Sequence, residues 1–158
     1  MMADLSVEER LRRLEDIEAI RQLKARYAEA CDDDHNPERI AALFLEDAKW
    51  HNLGQDPCNG HDEIKAYMRN IRESGRLRNS SHLFTNPHIT IDGDRAEGHW
   101  KLVMVYTGNA PDGSTQYHRI LGFYDEIYER HDADWLFRSL VVTVVENNAY
   151  TVEESKFS

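Results

Sequence analysis

Three side chains with the chemistry of proton transfer stand at three junctions of the sequence. Tyr27 lies near the end of a long amphipathic segment, Asp32 follows in a polar run, and His82 opens an alternating segment. On one continuous helix, positions five apart point about 140° away from each other. The polar run and the Asn36-Pro37 pair predict that the helix ends there, which would let Tyr27 and Asp32 converge. A phenol, a carboxylate and an imidazole in one apolar cavity could move protons.

Each of these residues has a candidate role and a simpler alternative. His82 would be the general acid/base, because an imidazole titrates near neutrality. Asp32 would fix the tautomer of His82 and stabilise the imidazolium that forms. Tyr27 would donate a hydrogen bond to a substrate oxygen on which charge develops. Alternatively, Tyr27 is a core residue with a polar tip, Asp32 is solvated or caps the next helix, and His82 is structural.

The elements that must position these residues form a helical first half and a stranded second half, which indicates an α+β domain. Ser6 and Glu9 form a capping-box pattern that starts the first helix. Two shorter helices are expected to follow. The second helix starts at Asn36-Pro37 and extends through Phe44, and the third runs from Gly60 to Ser74-Gly75. The buried stripe of the first helix is predicted to comprise Leu11, Leu14, Ile17, Ile20, Leu23 and Tyr27.

From His82 onward the hydrophobic period changes to two. This pattern predicts strands over residues 82–91, 95–106, 115–130 and 135–145. Long antiparallel strands twist and curl, so a sheet packed against three helices can form a cone that encloses a pocket. We expect one domain over residues 1–158, with a core at about 6–146 and a polar tail at 147–158.

Composition restricts the classes of function. A net charge of −10 disfavours nucleic acid, and the apolar runs are too short to cross a membrane. Cys31 and Cys58 have no metal or redox spacing, and the eight histidines form no His-x-His pair, so no metal is expected. The absence of an apolar signal segment predicts a cytoplasmic protein with free thiols.

Seven short motifs follow one another along the chain. They cover residues 17–28 (IEAIRQLKARYA), 44–48 (FLEDA), 60–64 (GHDEI), 79–83 (NSSHL), 92–96 (DGDRA), 122–128 (GFYDEIY) and 135–137 (WLF). Together they make residues 14–145 resemble the SnoaL-like branch of the nuclear-transport-factor-2-like superfamily. That superfamily includes polyketide cyclases, scytalone dehydratase, bile-acid dehydratase and ketosteroid isomerase. The positions of Tyr27, Asp32 and His82 match the family pattern, whereas Glu126 stands where the motif usually carries aspartate.

The resemblance also implies which side chains enter the cone. The inward phase of the last strand would include Trp135, Phe137, Ser139, Val141 and Thr143. The predicted substrate-binding residues are Trp50, Trp100, Met104, His118, Tyr124 and Phe137.

The opposite phase of the last strand is apolar for a solvent-facing surface and predicts a homo-oligomer, a dimer or trimer, through the outer sheet face. That phase comprises Leu136, Leu140, Val142 and Val144.

The resemblance implies a lyase or isomerase, with a dehydratase favoured, that needs no metal or organic cofactor. His82 and Asp32 would remove a proton next to a carbonyl of a small hydrophobic oxygenated molecule, which could be polyketide-, steroid- or aromatic-like. Isomerisation and cyclisation use the same first step. A non-catalytic ligand-binding, scaffold or small-subunit module of the same fold remains the alternative. A buried His–Asp pair would favour the enzyme, because a scaffold does not need one.

Overall fold

Three helices occupy most of the first half of the chain in a computed structural model that describes residues 5–150. Helix α1 spans Val7–Asp32, α2 spans Pro37–Ala41 and α3 spans Gly60–Ser74. The Ser6–Glu9 capping box is formed through two reciprocal hydrogen bonds of 2.7 and 3.2 Å. Asn36 caps α2, and α3 begins at Gly60 and ends before Gly75, which has φ 61°, so the three helix starts and the end of α3 follow the sequence signals.

The packed face of α1 differs from the predicted stripe in its first turns. Leu11 and Leu14 are 55% and 61% exposed, whereas Ile20 and Leu23 are fully buried. The reason is that only the second half of the helix covers the sheet, where burial extends to Lys24 and beyond. Among residues 5–150, no helix combines the length and the apolar composition that a membrane crossing requires.

Six strands form one open mixed sheet in the order β2-β1-β6-β5-β4-β3. The strands are β1 (Phe44–Asn52), β2 (Cys58–Asn59), β3 (Arg78–Asp92), β4 (Arg95–Asn109), β5 (Thr115–His131) and β6 (Asp134–Tyr150). Every neighbouring pair is antiparallel except β1 and β6, which are parallel. The predicted α+β class is confirmed. Strands β1 and β2 were not predicted, and Phe44 opens β1 instead of continuing the second helix.

Strand β6 does not keep a single inward phase. Its pairing with β5 slips by one residue at Arg138, since Tyr128 pairs with Phe137 but Ile127 pairs with Ser139. A second slip of the same kind follows at Val145. Each slip is a β-bulge, which adds one residue to one strand and reverses which side chains face inward.

The bulge at Arg138 corrects part of the predicted interior. Trp135 and Phe137 are buried as expected, but beyond the bulge Leu140 and Val142 are buried, at 0% and 5% exposure. The predicted inward set Ser139, Val141 and Thr143 lies on the outer face of the sheet. The predicted oligomer surface of Leu136, Leu140, Val142 and Val144 is therefore wrong as a set, because Leu140 and Val142 face inward.

Gly122 lies on β5 where the second bulge brings the backbone of β6 closest. A Cβ there would overlap the carbonyl oxygen of Thr143 and lie 3.3 Å from Cα of Val144. Both atoms belong to the backbone, so they cannot move aside as the end of a side chain can. The glycine in the motif at residues 122–128 is therefore required by the approach of the two strands.

We expect Gly122→Ala to lower the free energy of unfolding by about 1–3 kcal/mol, because overpacking against backbone forces the strands apart. Gly108→Ala is the matched control, since its new Cβ would meet chiefly the His118 side chain at 3.2 Å. Urea unfolding of both variants measures the difference. Equal stabilities for the two variants would contradict this account of Gly122.

Candidate functional site

A cavity of about 260 Å³ lies between the helices and the inner face of the sheet. Most of its wall is apolar or aromatic, with a few polar groups. Helices α1 and α3, strands β1, β3, β4, β5 and β6, and the segments beside them contribute its lining. The lining residues are Tyr27, Cys31, His35, Trp50, Asn52, Gln55, Tyr67, Met68, Ile71, Arg76, Leu77, His82, Leu102, Met104, Tyr106, Ile120, Tyr124, Val142 and Val144.

His82 extends from β3 to the wall of this cavity, and Asp32 is hydrogen-bonded to its ring. Nδ1 of the imidazole lies 2.6 Å from Oδ1 of Asp32, and the His82 side chain is only 5% exposed. The backbone N–H of His82 and the Ser80 hydroxyl donate to the same carboxylate at 3.1 Å. Because an ionised carboxylate can only accept, Nδ1 carries the ring proton and Nε2 is the basic nitrogen.

Helix α1 continues through Asp32, so the expectation that it ends earlier is wrong. Tyr27 and Asp32 therefore point in different directions, as their spacing on a continuous helix requires. Tyr27 lines the cavity, Asp32 does not, and His82 connects the two places. The three residues are brought together by β3 and not by a break in the helix.

The three consecutive aspartates have separate partners. Asp33 accepts from Asn36 and Arg39 at 2.8 and 3.1 Å, while Asp34 lies 3.3 Å from Arg72. Asp32 is the member of the run that holds His82. This division distinguishes Asp32 from its neighbours on contacts.

The Asp32 carboxylate sits where a negative charge is unfavourable, at the C-terminal end of a helix. Partial burial tends to raise its pKa, but the hydrogen bonds from His82 and Ser80 outweigh burial and leave the pKa lowered. Asp32 is thus ionised at neutral pH, and its charge is directed at the imidazole.

Tyr27 presents a phenol to the cavity that keeps its proton. Its oxygen accepts a 2.9 Å hydrogen bond from Nε1 of Trp50, which leaves its own O–H able to donate. Burial, together with the neighbouring Cys31 and Tyr124, raises the pKa of Tyr27 well above its usual range. Burial also raises the pKa of the Cys31 thiol to about 12, so this side chain is not a thiolate nucleophile.

A buried salt bridge lies beneath the cavity. Lys24 of α1 contacts Glu126 of β5, and Tyr128 donates to the same carboxylate. The Lys24 ammonium also lies 3.7 Å from the ring centre of Tyr124 and 3.8 Å from that of Phe84. Burial lowers the pKa of Lys24 and raises the pKa of Glu126, although each partner's charge opposes that shift.

His35 is a second imidazole in the cavity wall. It is 5% exposed, its ring centre lies 5.6 Å from that of His82, and its Nδ1 has no hydrogen-bond partner among residues 5–150. Burial, followed by the proximity of His82, lowers the pKa of His35 from 6.5 to about 4. The ring is therefore neutral at neutral pH.

The predicted substrate-binding residues divide into two groups. Trp50, Met104 and Tyr124 line the cavity. The other three lie outside its lining: Trp100 donates to the Tyr128 hydroxyl at 2.9 Å, His118 stacks on Tyr106 with ring centres 4.4 Å apart, and Phe137 stacks on Phe44 at 4.9 Å. Arg138 forms ion pairs with Asp47 and Glu129.

His35, Cys31 and Lys24 also belong to this region, although no sequence pattern was interpreted as placing them there. Lys24 lies three residues before Tyr27 and Cys31 four residues after it, so helical periodicity could have placed both on the Tyr27 face of α1. His35 has no such signal, because it follows the end of α1 and its position depends on a turn. Within residues 5–150, no group of three or more His, Cys, Asp or Glu side chains could hold a metal ion.

Comparison with protein families finds one match that covers most of the chain. A model described as a SnoaL-like domain matches residues 12–141. The match includes both members of the Asp32–His82 pair, as well as Tyr27 and His35.

Solved structures show the same fold at low sequence identity. A Novosphingobium aromaticivorans DSM 12444 protein provisionally named a scytalone dehydratase is 24% identical, with a TM-score of 0.75 over 89% of this chain and 91% of that one. An NTF2-like protein with a cystatin-like fold from Novosphingobium aromaticivorans is 24% identical, with a TM-score of 0.71 over 89% and 88%. The hexachlorocyclohexane dehydrochlorinase LinA-type3 of Novosphingobium barchaimii LL02 is 23% identical, with a TM-score of 0.76 over 94% and 97%.

The neutral, buried His35 predicts a loss of stability in mild acid. Between pH 6.5 and 4 the unfolded chain binds a proton on this residue that the folded chain does not bind, so stability falls as the pH falls. A single proton changes stability by about 1.4 kcal/mol per pH unit, or roughly 3 kcal/mol across this window. Urea unfolding at several pH values should show a shallower decline in His35→Phe than in the wild type. An identical decline in both proteins would show that His35 is not buried in its neutral form.

Proposed function

Because the chain belongs to the SnoaL-like domain family, we propose that it is a cofactor-independent lyase that acts as a dehydratase. Its reaction is the removal of a proton next to a carbonyl group, followed by loss of water. The substrate is a small, largely hydrophobic molecule that carries a carbonyl and a hydroxyl. His82 and Tyr27 contact the substrate in this reaction, and Asp32 acts through His82.

The observation that carries the proposal is the His82–Asp32 pair at the wall of the cavity. The imidazole is almost fully buried, its Nδ1 is bound to an ionised carboxylate at 2.6 Å, and its other side faces an apolar space. A binding protein or scaffold has no need to desolvate such a pair. A proton-transfer enzyme does need it, since the carboxylate fixes the tautomer and stabilises the imidazolium that forms.

The first step is proton abstraction from carbon. Nε2 of His82 takes the proton, and the electron pair of the C–H bond moves to make the enolate of the neighbouring carbonyl. Asp32 does not touch the substrate and offsets the new positive charge on the ring. Tyr27, whose O–H keeps its proton because of burial, donates a hydrogen bond to the enolate oxygen.

The second step returns the proton. The enolate electrons form the carbon–carbon double bond as the hydroxyl on the next carbon departs, and the imidazolium of His82 protonates it to water. The base is thereby restored without a cofactor. A substrate without the hydroxyl can undergo only the first step and its reversal, which exchanges the hydrogen with solvent.

Cavity size and the names of structural relatives support the substrate class. A volume of about 260 Å³ is just below the roughly 300–1,000 Å³ typical of drug-sized ligands, which suits a molecule of one or two rings. Two relatives carry names that denote elimination, a scytalone dehydratase and a hexachlorocyclohexane dehydrochlorinase. Elimination of water by this chain is consistent with both names.

We expect the protein to accelerate exchange of the two hydrogens at C2 of 1-tetralone in D₂O, measured by proton NMR. This bicyclic ketone has the acidic hydrogens but no leaving group, so exchange reports proton abstraction alone. His82→Gln should reduce the exchange rate by about 10²–10⁴-fold, the usual contribution of a general base. Asp32→Asn should reduce the rate too, because the tautomer and the imidazolium lose their support.

The matched control is another hydrogen-bonded His–Asp pair, which lies outside the cavity. Nδ1 of His99 lies 2.8 Å from Asp125, with both side chains exposed on the outer face, so His99→Phe should leave exchange unchanged. Exchange that is equally fast in His82→Gln would contradict the proposal. Loss of water is then followed with 3-hydroxy-1-tetralone, whose dehydration product tautomerises to fluorescent 1-naphthol. Exchange without naphthol formation would exclude the dehydratase and leave an isomerase.

We further propose that the chain assembles as a homo-oligomer through the outer face of the sheet. Half-exposed apolar residues are spread over this face on β4, β5 and β6, comprising Val103, Leu121, Phe123, Ile127 and Val141. Val103 pairs directly with Leu121, while Phe123, Ile127 and Val141 surround Asp125, and exposed apolar surface rimmed by polar residues favours association. A second apolar surface, at Leu11 and Leu14 of α1, offers the comparison.

Light scattering after size exclusion should give two or three times the chain mass of 18.4 kDa. Phe123→Asp with Val141→Asp should reduce the mass to that of one chain, because the substitutions remove apolar contact area and add two charges that resist burial. Leu11→Glu with Leu14→Glu should not, provided that circular dichroism shows both variants folded. A monomeric wild type, or dissociation only in the helix variant, would refute the outer-face assembly.

A further inference from the structure

The His35 ring is buried at the cavity wall without a protein partner for Nδ1. The residue is 5% exposed, and no described side chain or backbone group forms a hydrogen bond with that nitrogen. A buried polar atom without a partner is costly and uncommon in folded proteins. Nδ1 itself has almost no accessible surface, so the nitrogen that remains for a molecule in the cavity is Nε2, which also forms no hydrogen bond within residues 5–150.

The backbone that carries this ring is itself unfavourable. Asp34 and His35 have φ values of 53° and 49°, two consecutive residues other than glycine in the left-handed region. Backbone N–H groups of His35 and Asn36 bond to Cys31 and Ala30 at 2.9 and 3.0 Å, which holds the turn in place. Glycine would adopt this conformation more easily, so the chain gains something from a histidine side chain here.

The two imidazoles of the cavity have different surroundings. His82 is bound to a carboxylate that supports a positive charge, whereas no carboxylate is hydrogen-bonded to His35 within residues 5–150. Their ring centres are 5.6 Å apart, so a charge on both rings would be repulsive. The lowered pKa of His35 agrees with this division. One ring can accept a proton while the other remains a neutral hydrogen-bonding group.

From this geometry we infer that His35 is a substrate-binding residue whose neutral imidazole hydrogen-bonds an oxygen of the molecule that His82 deprotonates. This role rests on the proposed function for the reaction that follows, but the binding itself does not depend on turnover. The ligand chemistry is a carbonyl or hydroxyl oxygen on a compact ring system. His35 would thereby orient the carbon to be deprotonated toward Nε2 of His82.

The test compares binding of 1-tetralone and of tetralin, which has the same two rings and no oxygen, by isothermal titration calorimetry. The wild type should prefer the ketone, and His35→Phe should lose about tenfold of that preference, since phenylalanine keeps the ring and removes both nitrogens. His35→Asn should recover part of it, because its amide can hydrogen-bond and asparagine tolerates the left-handed conformation. His99→Phe should behave as the wild type. An unchanged preference in His35→Phe would overturn the inference.

A second measurement on the wild type applies even if His35→Phe does not fold. The side-chain nitrogen resonances of His35 should shift when 1-tetralone is added and not when tetralin is added. The absence of a ketone-specific shift would overturn the inference. Ketone binding that depends on His35 without any C2 exchange would support His35 and contradict the lyase. Exchange that depends on His82 with binding independent of His35 would do the reverse.

Discussion

A lysine and a glutamate, with side chains 1% and 0% exposed, join the middle of α1 to β5. Removing two charges from water costs several kcal/mol for each ion, an expense that is offset here by their mutual contact, the Tyr128 hydroxyl and the rings of Phe84 and Tyr124. Lys24, Tyr27 and Cys31 follow one another on one face of the helix. Fixing Lys24 therefore fixes the rotation of α1, which points Tyr27 and Cys31 into the cavity and brings Asp32 to the start of β3.

Burial keeps four titratable groups of the cavity wall uncharged. Tyr27 and Tyr124 have pKa values well above the usual range, Cys31 has one of about 12, and His35 one of about 4. Each group is thus kept in its uncharged form near neutral pH. Charge that develops on a bound molecule would meet fixed donors and one imidazole supported by Asp32, in a region where electrostatic interactions are stronger than in water.

Features that depend on local patterns could be predicted from the sequence. Neighbouring residues determine the capping box, the end of α3 at Gly75 and the four long strands. The Asp32–His82 contact was expected from the family resemblance. Features that depend on distant partners were missed. Strand β1 forms by pairing with β6, and the bulges arise where β5 and β6 approach each other. The position of His35 follows from a left-handed turn that the local sequence does not predict.

Strand β6 contains two extra residues relative to its partner β5, and this determines how the strand would respond to a deletion. Odd-numbered residues before Arg138 and even-numbered residues after it face the interior of the protein, because the bulge shifts the alternation of side chains by one residue. Deleting the bulged residue Arg138 would leave Phe137 opposite Tyr128 and Ser139 opposite Ile127, so Leu140 and Val142 would keep their inward positions. Each bulge is therefore a place where β6 can lose one residue without exchanging the inner and outer faces of the sheet.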